Sequence, residues 1–202
     1  MPAGAPLRAA RRFARPLSLP TAAAPAKLRA AMADERKIRI RGLEPRDHER
    51  VLELNQASVQ ELSALDEPRL QYILARAHRS LVAASDDREV LAFALAIAPG
   101  TDYDSLNYTT LSEMFESFLY LDRIAVADSA RRKGLGAALY DAMETAAAPF
   151  GRMVCDVNIE PRNDASLAFH AVRGYREVGE LAHGEEKTVA LMSKELRAPD
   201  RA

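Results

Sequence analysis

Between residues 126 and 147 the chain reads VADSARRKGLGAALYDAMETAA, and the chemistry this order of residues offers is anion binding. Consecutive cations at Arg131, Arg132 and Lys133 run directly into Gly134, and a further glycine follows at Gly136. Glycine lets backbone N–H groups come close to a bound group. A helix that opens there adds N–H groups without intrahelical partners and the positive end of its dipole. Phosphate is the anion that suits such a cradle. Two familiar phosphate loops do not fit. A Walker loop needs Gly-Lys followed by Ser or Thr, and here Lys133 precedes its glycine. A dinucleotide fingerprint would need Gly or Ala where Leu139 stands.

The loop must be held between a strand and a helix, and the flanking patterns supply both. Phe118 to Val126 (FLYLDRIAV) is rich in aromatic and branched residues and reads as a central strand. After Gly136 the pattern becomes helical, with Leu135, Leu139 and Met143 among its apolar face. Arg152 to Val157 reads as the next strand, Asn163 opens a helix that stops at Gly174, and two strands around His183-Gly184 finish the chain. Upstream, Lys37 to Arg41 is a short strand, Asp47 caps a first helix, and Asp66-Glu67-Pro68 opens a second. SLVAAS and EVLAFALAI form a hairpin turned at Asp86-Asp87. Residues 99–117 show no clear period and read as a long loop. The sum is an α/β domain with a mixed, largely antiparallel sheet.

Composition removes several classes of function. Cys155 is the only cysteine, which rules out an internal disulfide and a cysteine-type metal site, and a reducing, cytoplasmic setting fits best. His48, His78, His170 and His183 show no metal-ligand spacing, so no metal is expected. The longest apolar run, Val90 to Ala98, is too short to span a bilayer. Residues 1–33 carry six basic residues and no acid, leaving 22 basic against 29 acidic residues in the rest of the chain. An acidic body argues against nucleic acid as a partner and for a cationic substrate. That first segment, rich in Ala, Pro and Arg, reads as a targeting peptide, a disordered tail, or a start called ahead of Met32. Arg11-Arg12-Phe13 has a twin-arginine look, but Pro16, Pro20 and Pro25 break the apolar segment such a signal needs, and the tail or early-start readings are adopted. The domain is expected over residues 34–197, with a flexible tail at 198–202.

Arg131, Gly134 and Gly136 behind Ile124-Ala125-Val126 form Arg-x-x-Gly-x-Gly after a strand, and in this the chain resembles the GNAT superfamily of acetyl-CoA-dependent N-acetyltransferases. Such proteins commonly carry Asn-x-x-(Ala/Ser)-x-x-x-Tyr-x-x-x-Gly-Phe in the next strand–helix unit. Here NDASLAFHAVRGY places Asn163, Ser166, His170, Gly174 and Tyr175 at those points. The resemblance extends over about residues 36–196. It implies a central pair of parallel strands, Phe118–Val126 and Arg152–Val157, splayed around the cofactor, with helices flanking the sheet. Ile124 and Val126 would pair with pantetheine, and backbone N–H groups from Arg132 through Gly134, Leu135, Gly136 and Ala137 would hold the pyrophosphate. Arg131, Arg132 and Lys133 would assist or be solvated. Asn163 would cap its helix or meet the pantetheine beside Ser166.

The implied reaction is direct attack of an amine on the acetyl thioester, with the oxyanion held by a backbone N–H near Ile124 or Ala125. The chain departs from the family where the usual tyrosine acid is His170. An imidazole with a pKa near ~6.5 can donate a proton, so His170 is either the acid or a polar helix residue. Tyr120, Asp122 and Ile124 share a face of the central strand unless a bulge intervenes. Asp122 would then be base or partner of Arg123, with Asp156, Asn158, Glu113 and Glu116 as comparable candidates. Tyr103, Tyr108 and Tyr120 line an acceptor pocket or simply pack. Cys155 lacks a paired histidine and reads as structural. The expected protein is thus an N-acetyltransferase binding acetyl-CoA and an amine. The alternative is a silent acyl-CoA-binding module of the same fold, and homodimerisation stays open.

Overall fold

The computed structural model describes residues 38–196. The expectations for residues 1–33 and 198–202, and for Lys37 as a strand residue, lie outside the described residues. Seven strands form one sheet in the order β1-β2-β3-β4-β5-β7-β6. They are β1 (Arg39–Gly42), β2 (Ala77–Ala84), β3 (Val90–Ile97), β4 (Leu119–Val126), β5 (Arg152–Glu160), β6 (Arg176–His183) and β7 (Lys187–Glu195). Every neighbouring pair is antiparallel except β4 and β5. A parallel pair requires a crossover, and helix α4 (Leu135–Ala147) provides it. The sheet is therefore mixed and largely antiparallel, with its one parallel step at the centre.

Four further helices, α1 (His48–Ala57), α2 (Glu67–Leu74), α3 (Leu106–Met114) and α5 (Asp164–Val172), complete the domain. All eight residues of β3 are buried, so both its faces are covered, and α1 and α4 each pack against β3 and β4. That is why this strand reads as an unbroken apolar run rather than an alternation. Asp66 caps α2 by accepting from the Arg69 N–H at 2.8 Å, a contact worth about 1 kcal/mol.

Three local expectations change. Residues 99–117 include helix α3, capped by Ser105; only Tyr108 and Leu111 of the helix are buried, too few anchors to show a period. The Asp47 carboxylate does not cap α1, because Arg41 takes both its oxygens at 2.6 and 2.8 Å. In the β2–β3 turn it is Arg88, at φ 68°, that takes the left-handed position beyond Asp86-Asp87.

Candidate active site

The site begins where the central strands part. β4 and β5 pair only at Leu119↔Met153 and Tyr120↔Val154, although β4 continues to Val126 and β5 to Glu160. On their outer edges β3 follows β4 to Val126, and β7 follows β5 to Glu160. From Leu121 onward the edge of β4 that faces β5 therefore offers unpaired backbone groups, which in most sheets would be a liability. Asn158, buried on β5, reaches the carbonyls of Gln60 and Glu61 at 3.3 and 3.4 Å and ties the segment after α1 beside the opening.

One cavity, of about 390 Å³, runs along this opening. Ile124, Ala125, Val126, Arg131, Arg132, Gly136 and Ser166 from the anticipated cofactor set all line it, together with Tyr140 and His170. Leu135 is instead a buried core residue. Ala137 lies in the first turn of α4, and Lys133 is exposed. Gly134 stands at the N-cap of α4 with φ 82°, a left-handed conformation that explains glycine there. At Gly136 an added Cβ would meet nothing closer than Val126 Cγ2 at 3.9 Å, so the protein's own packing does not require glycine there. Arg131 pairs with Asp128 at 3.0 Å on the exposed surface. Asn163 caps α5, accepting from the Ser166 N–H at 3.0 Å.

His170 is buried, and its two nitrogens are both engaged. Nδ1 lies 2.7 Å from the Ser166 carbonyl, which can only accept, so Nδ1 carries the proton. Nε2 is then the acceptor for the Tyr140 hydroxyl at 2.6 Å. Burial holds the imidazole below its ordinary pKa, which agrees with the neutral form this geometry assigns. The Tyr140 hydroxyl also meets the Cys155 thiol, and burial pushes both of their pKa values well up. Cys155 is therefore a protonated core thiol.

A second cavity, of about 340 Å³, lies toward the base of the splay, with Tyr120, Asp122 and Asp156 in its walls. The register of β3 on β4 slips between Leu95 and Ala96, which face Arg123 and Leu121, so Asp122 is the extra residue of a β-bulge. The bulge brings consecutive residues Asp122 and Arg123 to the same cavity. Both Asp122 oxygens are taken, by the Tyr103 hydroxyl at 2.6 Å and Arg123 Nε at 2.7 Å. Arg123 is tied further to Asn55 of α1 at 3.0 Å.

Asp156 is held differently. It accepts from the Tyr120 hydroxyl at 2.7 Å across the splayed strands and from the amide of Asn107. His183 in turn meets Asn107 Oδ1 at 2.7 Å, fixing the amide with its N–H groups toward Asp156. Burial raises the Asp156 pKa to about 6, against the opposing pull of these hydrogen bonds and of Lys187. Tyr120 is raised well above its ordinary value by burial and stays protonated. Sequence reasoning had Tyr120, Asp122 and Asp156 in view, but Asn107, Arg123 as a cavity residue, His183 and Lys187 carry no local signal. Glu113 and Glu116 are absent from both cavity walls, and Tyr108 hydrogen-bonds the Ala98 carbonyl instead. No group of residues suited to holding a metal exists among the described residues.

The splayed parallel pair, the glycine loop and the two cavities define a class of protein. Over residues 46–175 the chain matches the profile of the Acetyltransferase (GNAT) family, and it belongs to that family and is an acyltransferase. No curated sequence matches it significantly. Similar solved structures include Ard1 from Thermoplasma volcanium, 18% identical, covering 79% of this chain and 97% of that one with a TM-score of 0.63. NAA60 of Arabidopsis thaliana with a bisubstrate analogue is 15% identical over 80% of this chain and 99% of that one, also at 0.63. A phosphinothricin acetyltransferase from Sinorhizobium meliloti in complex with AcCoA is 20% identical over 82% and 91%, at 0.60. At such identities these likenesses speak for the fold. No helix among the described residues is long and apolar enough to cross a membrane.

Proposed function

We propose that the protein is an N-acetyltransferase that moves an acetyl group from acetyl-CoA to a primary amine by direct attack. The observation that carries this reading is the meeting of two cavities at the splay, one beside the glycine loop and one containing a carboxylate with a pKa near 6. Glu61 and Leu62 line both, so a donor in the first and an acceptor in the second would share a wall.

The residues present fit acetyl-CoA. The bare edge of β4 at Ile124 and Val126 suits the amides of a pantetheine arm, which would add like a strand. First-turn N–H groups of α4 behind Gly134 suit a pyrophosphate, and Arg131, Arg132 and Lys133 add attraction over distance. Bound there, acetyl-CoA supplies a thioester whose carbonyl can be attacked. Family membership and a neighbour with AcCoA bound support this choice of donor. The lone buried thiol and such a donor fit a cytoplasmic enzyme.

This chain's own side chains then divide the proton work. Asp156, oriented by Tyr120 and Asn107, accepts the proton of the incoming ammonium; a carboxylate with a pKa near 6 is largely ionised at neutral pH yet more basic than an ordinary one. Asp122, with both oxygens occupied, holds Arg123 and Tyr103 in place. A backbone N–H near Ile124 or Ala125 meets the negative charge that develops on the acetyl oxygen. Tyr140 and His170 line the donor cavity, where the C–S bond would break and CoA would leave as its thiolate. His170 keeps the position of the usual acid, but its proton is on Nδ1 against Ser166, so we assign it to orienting Tyr140. The test is thiol release from acetyl-CoA in the presence of amines, compared between the native protein and Asp156→Asn. Release that depends on amine and falls in the variant supports the reading, whereas equal release in both removes Asp156 from it.

A further inference from the structure

Of the three Arg and Lys side chains that line the acceptor cavity, two are tied to carboxylates at ion-pair distance. Arg123 is neutralised by Asp122 at 2.7 Å. Arg69 at the cavity wall is neutralised by Asp104, with contacts of 2.7 and 2.8 Å. Lys187, the first residue of β7, also lines the cavity, but among the described residues its ammonium makes no hydrogen bond or ion pair. Its charge is nonetheless felt at Asp156 and at His183, so it stands near the position where the acceptor's amine must meet its base.

This arrangement does not suit a plain amine. An ammonium brought to Asp156 would add a second cation beside Lys187, and like charges placed together oppose binding. An acceptor carrying a carboxylate next to its amine removes the conflict, because it presents the ammonium to Asp156 and the carboxylate to Lys187. The cavity, at about 340 Å³, is at the small end of ligand pockets. Its walls include the Glu61–Ala64 segment, Ser105–Asn107, and His183 and Lys187 on either side of the β6–β7 turn.

We infer that the acceptor is a free α-amino acid, its amine directed to Asp156 and its carboxylate bound by Lys187. The inference rests on the N-acetyltransferase reading and deepens it. Lys187 acts here by binding substrate, which separates it from a merely structural cation that would tune Asp156 for every acceptor alike.

The experiment uses the full chain with acetyl-CoA and a panel of L-amino acids, each beside its own amide and its decarboxylated amine. Thiol release reports turnover, and calorimetry reports acetyl-CoA binding separately. The acids are expected to react with kcat/KM about tenfold or more above their amides and amines, the worth of one charge-assisted hydrogen bond. Lys187→Met is expected to raise KM for the acids by a similar factor with kcat little changed, to lower rather than raise KM for the amines because a like charge is removed, and to be partly rescued by Lys187→Arg. Equal reaction of acids and amides, reaction confined to carboxylate-free amines or to peptide N-termini, or no reaction of any acid would each overturn the inference. Retained acetyl-CoA binding in those cases leaves the donor reading standing, and its loss brings both down. The panel on the unsubstituted protein decides even if Lys187→Met fails to fold.

Discussion

Tyr120 on β4 donates its hydroxyl proton to Asp156 on β5 at 2.7 Å, two residues beyond Val154, the last β5 residue paired with β4. The bond closes the base of the splay and leaves the carboxylate facing the acceptor cavity. It also lowers the Asp156 pKa against the larger effect of burial, which leaves it at about 6.

The pH dependence of turnover follows from that balance. Asp156 must be ionised to accept a proton, so kcat/KM is expected to rise through pH 6 and level above it. Tyr120→Phe removes a bond that favours the ionised form, and the acid limb should move upward. Asp156→Asn should lower kcat/KM by about 10²–10⁴-fold, the usual range for a lost general base, and abolish the limb. Because the fold raises this pKa above the unfolded carboxylate value, the contribution of Asp156 to stability is greatest below pH 4 and falls as pH rises through 6. Rate profiles and thermal melts across pH 4–9 check both signs.

Asp122 is expected to behave as scaffold. Its side chain is 5% exposed and Arg123 beside it is 7% exposed. Asp122→Ala would leave the guanidinium buried without its counter-ion, at a cost of about 3–5 kcal/mol. Denaturant unfolding should show that loss. A fully stable variant with reduced turnover would instead return Asp122 to the role of base.

Tyr140 and His170 should act as one unit. Tyr140→Phe and His170→Phe each remove the 2.6 Å bond between them. Either change is expected to lower kcat more than acetyl-CoA affinity, and the double variant should be little worse than the worse single one. Additive losses in a double-mutant cycle would mean that the two side chains act independently.

The two loop glycines should separate by mechanism. Gly134 has φ 82°, so Gly134→Ala should cost about 1 kcal/mol of stability through backbone strain, and Gly134→Glu should abolish acetyl-CoA binding. Gly136→Ala meets only ordinary contact at 3.9 Å, so stability should hold while a methyl group projecting into the cavity weakens acetyl-CoA. Calorimetry with parallel melts distinguishes the cases.

The parts of this site that can be read from sequence are those made by contiguous residues. The glycine loop, its strand and its helix occupy residues 119–147 without interruption, and Asn163 caps α5 through a residue three positions away. The acceptor side is assembled from distant segments. Asp156 depends on Tyr120, 36 residues earlier, and Asn107 depends on His183, 76 residues later. A bulge at Asp122 has no sequence mark, yet it decides that Arg123 faces the cavity and that both Asp122 oxygens are occupied. Helix α3, which brings in Asn107, was hidden because it buries only two of its side chains. His170 illustrates the same limit within a recognisable motif: its position was visible, but the proton on Nδ1 follows from a carbonyl and a tyrosine on another helix.

Acetyl transfer by this chain requires that the groove between β4 and β5 hold the donor. The most direct measurement is calorimetric titration of acetyl-CoA into the full chain and into Gly134→Glu, with free thiol followed after an amino acid is added. Saturable binding to the native protein, its loss in the variant, and thiol release on adding the acceptor are the predicted results. No binding to a folded native protein, or equal binding to both, would contradict the account.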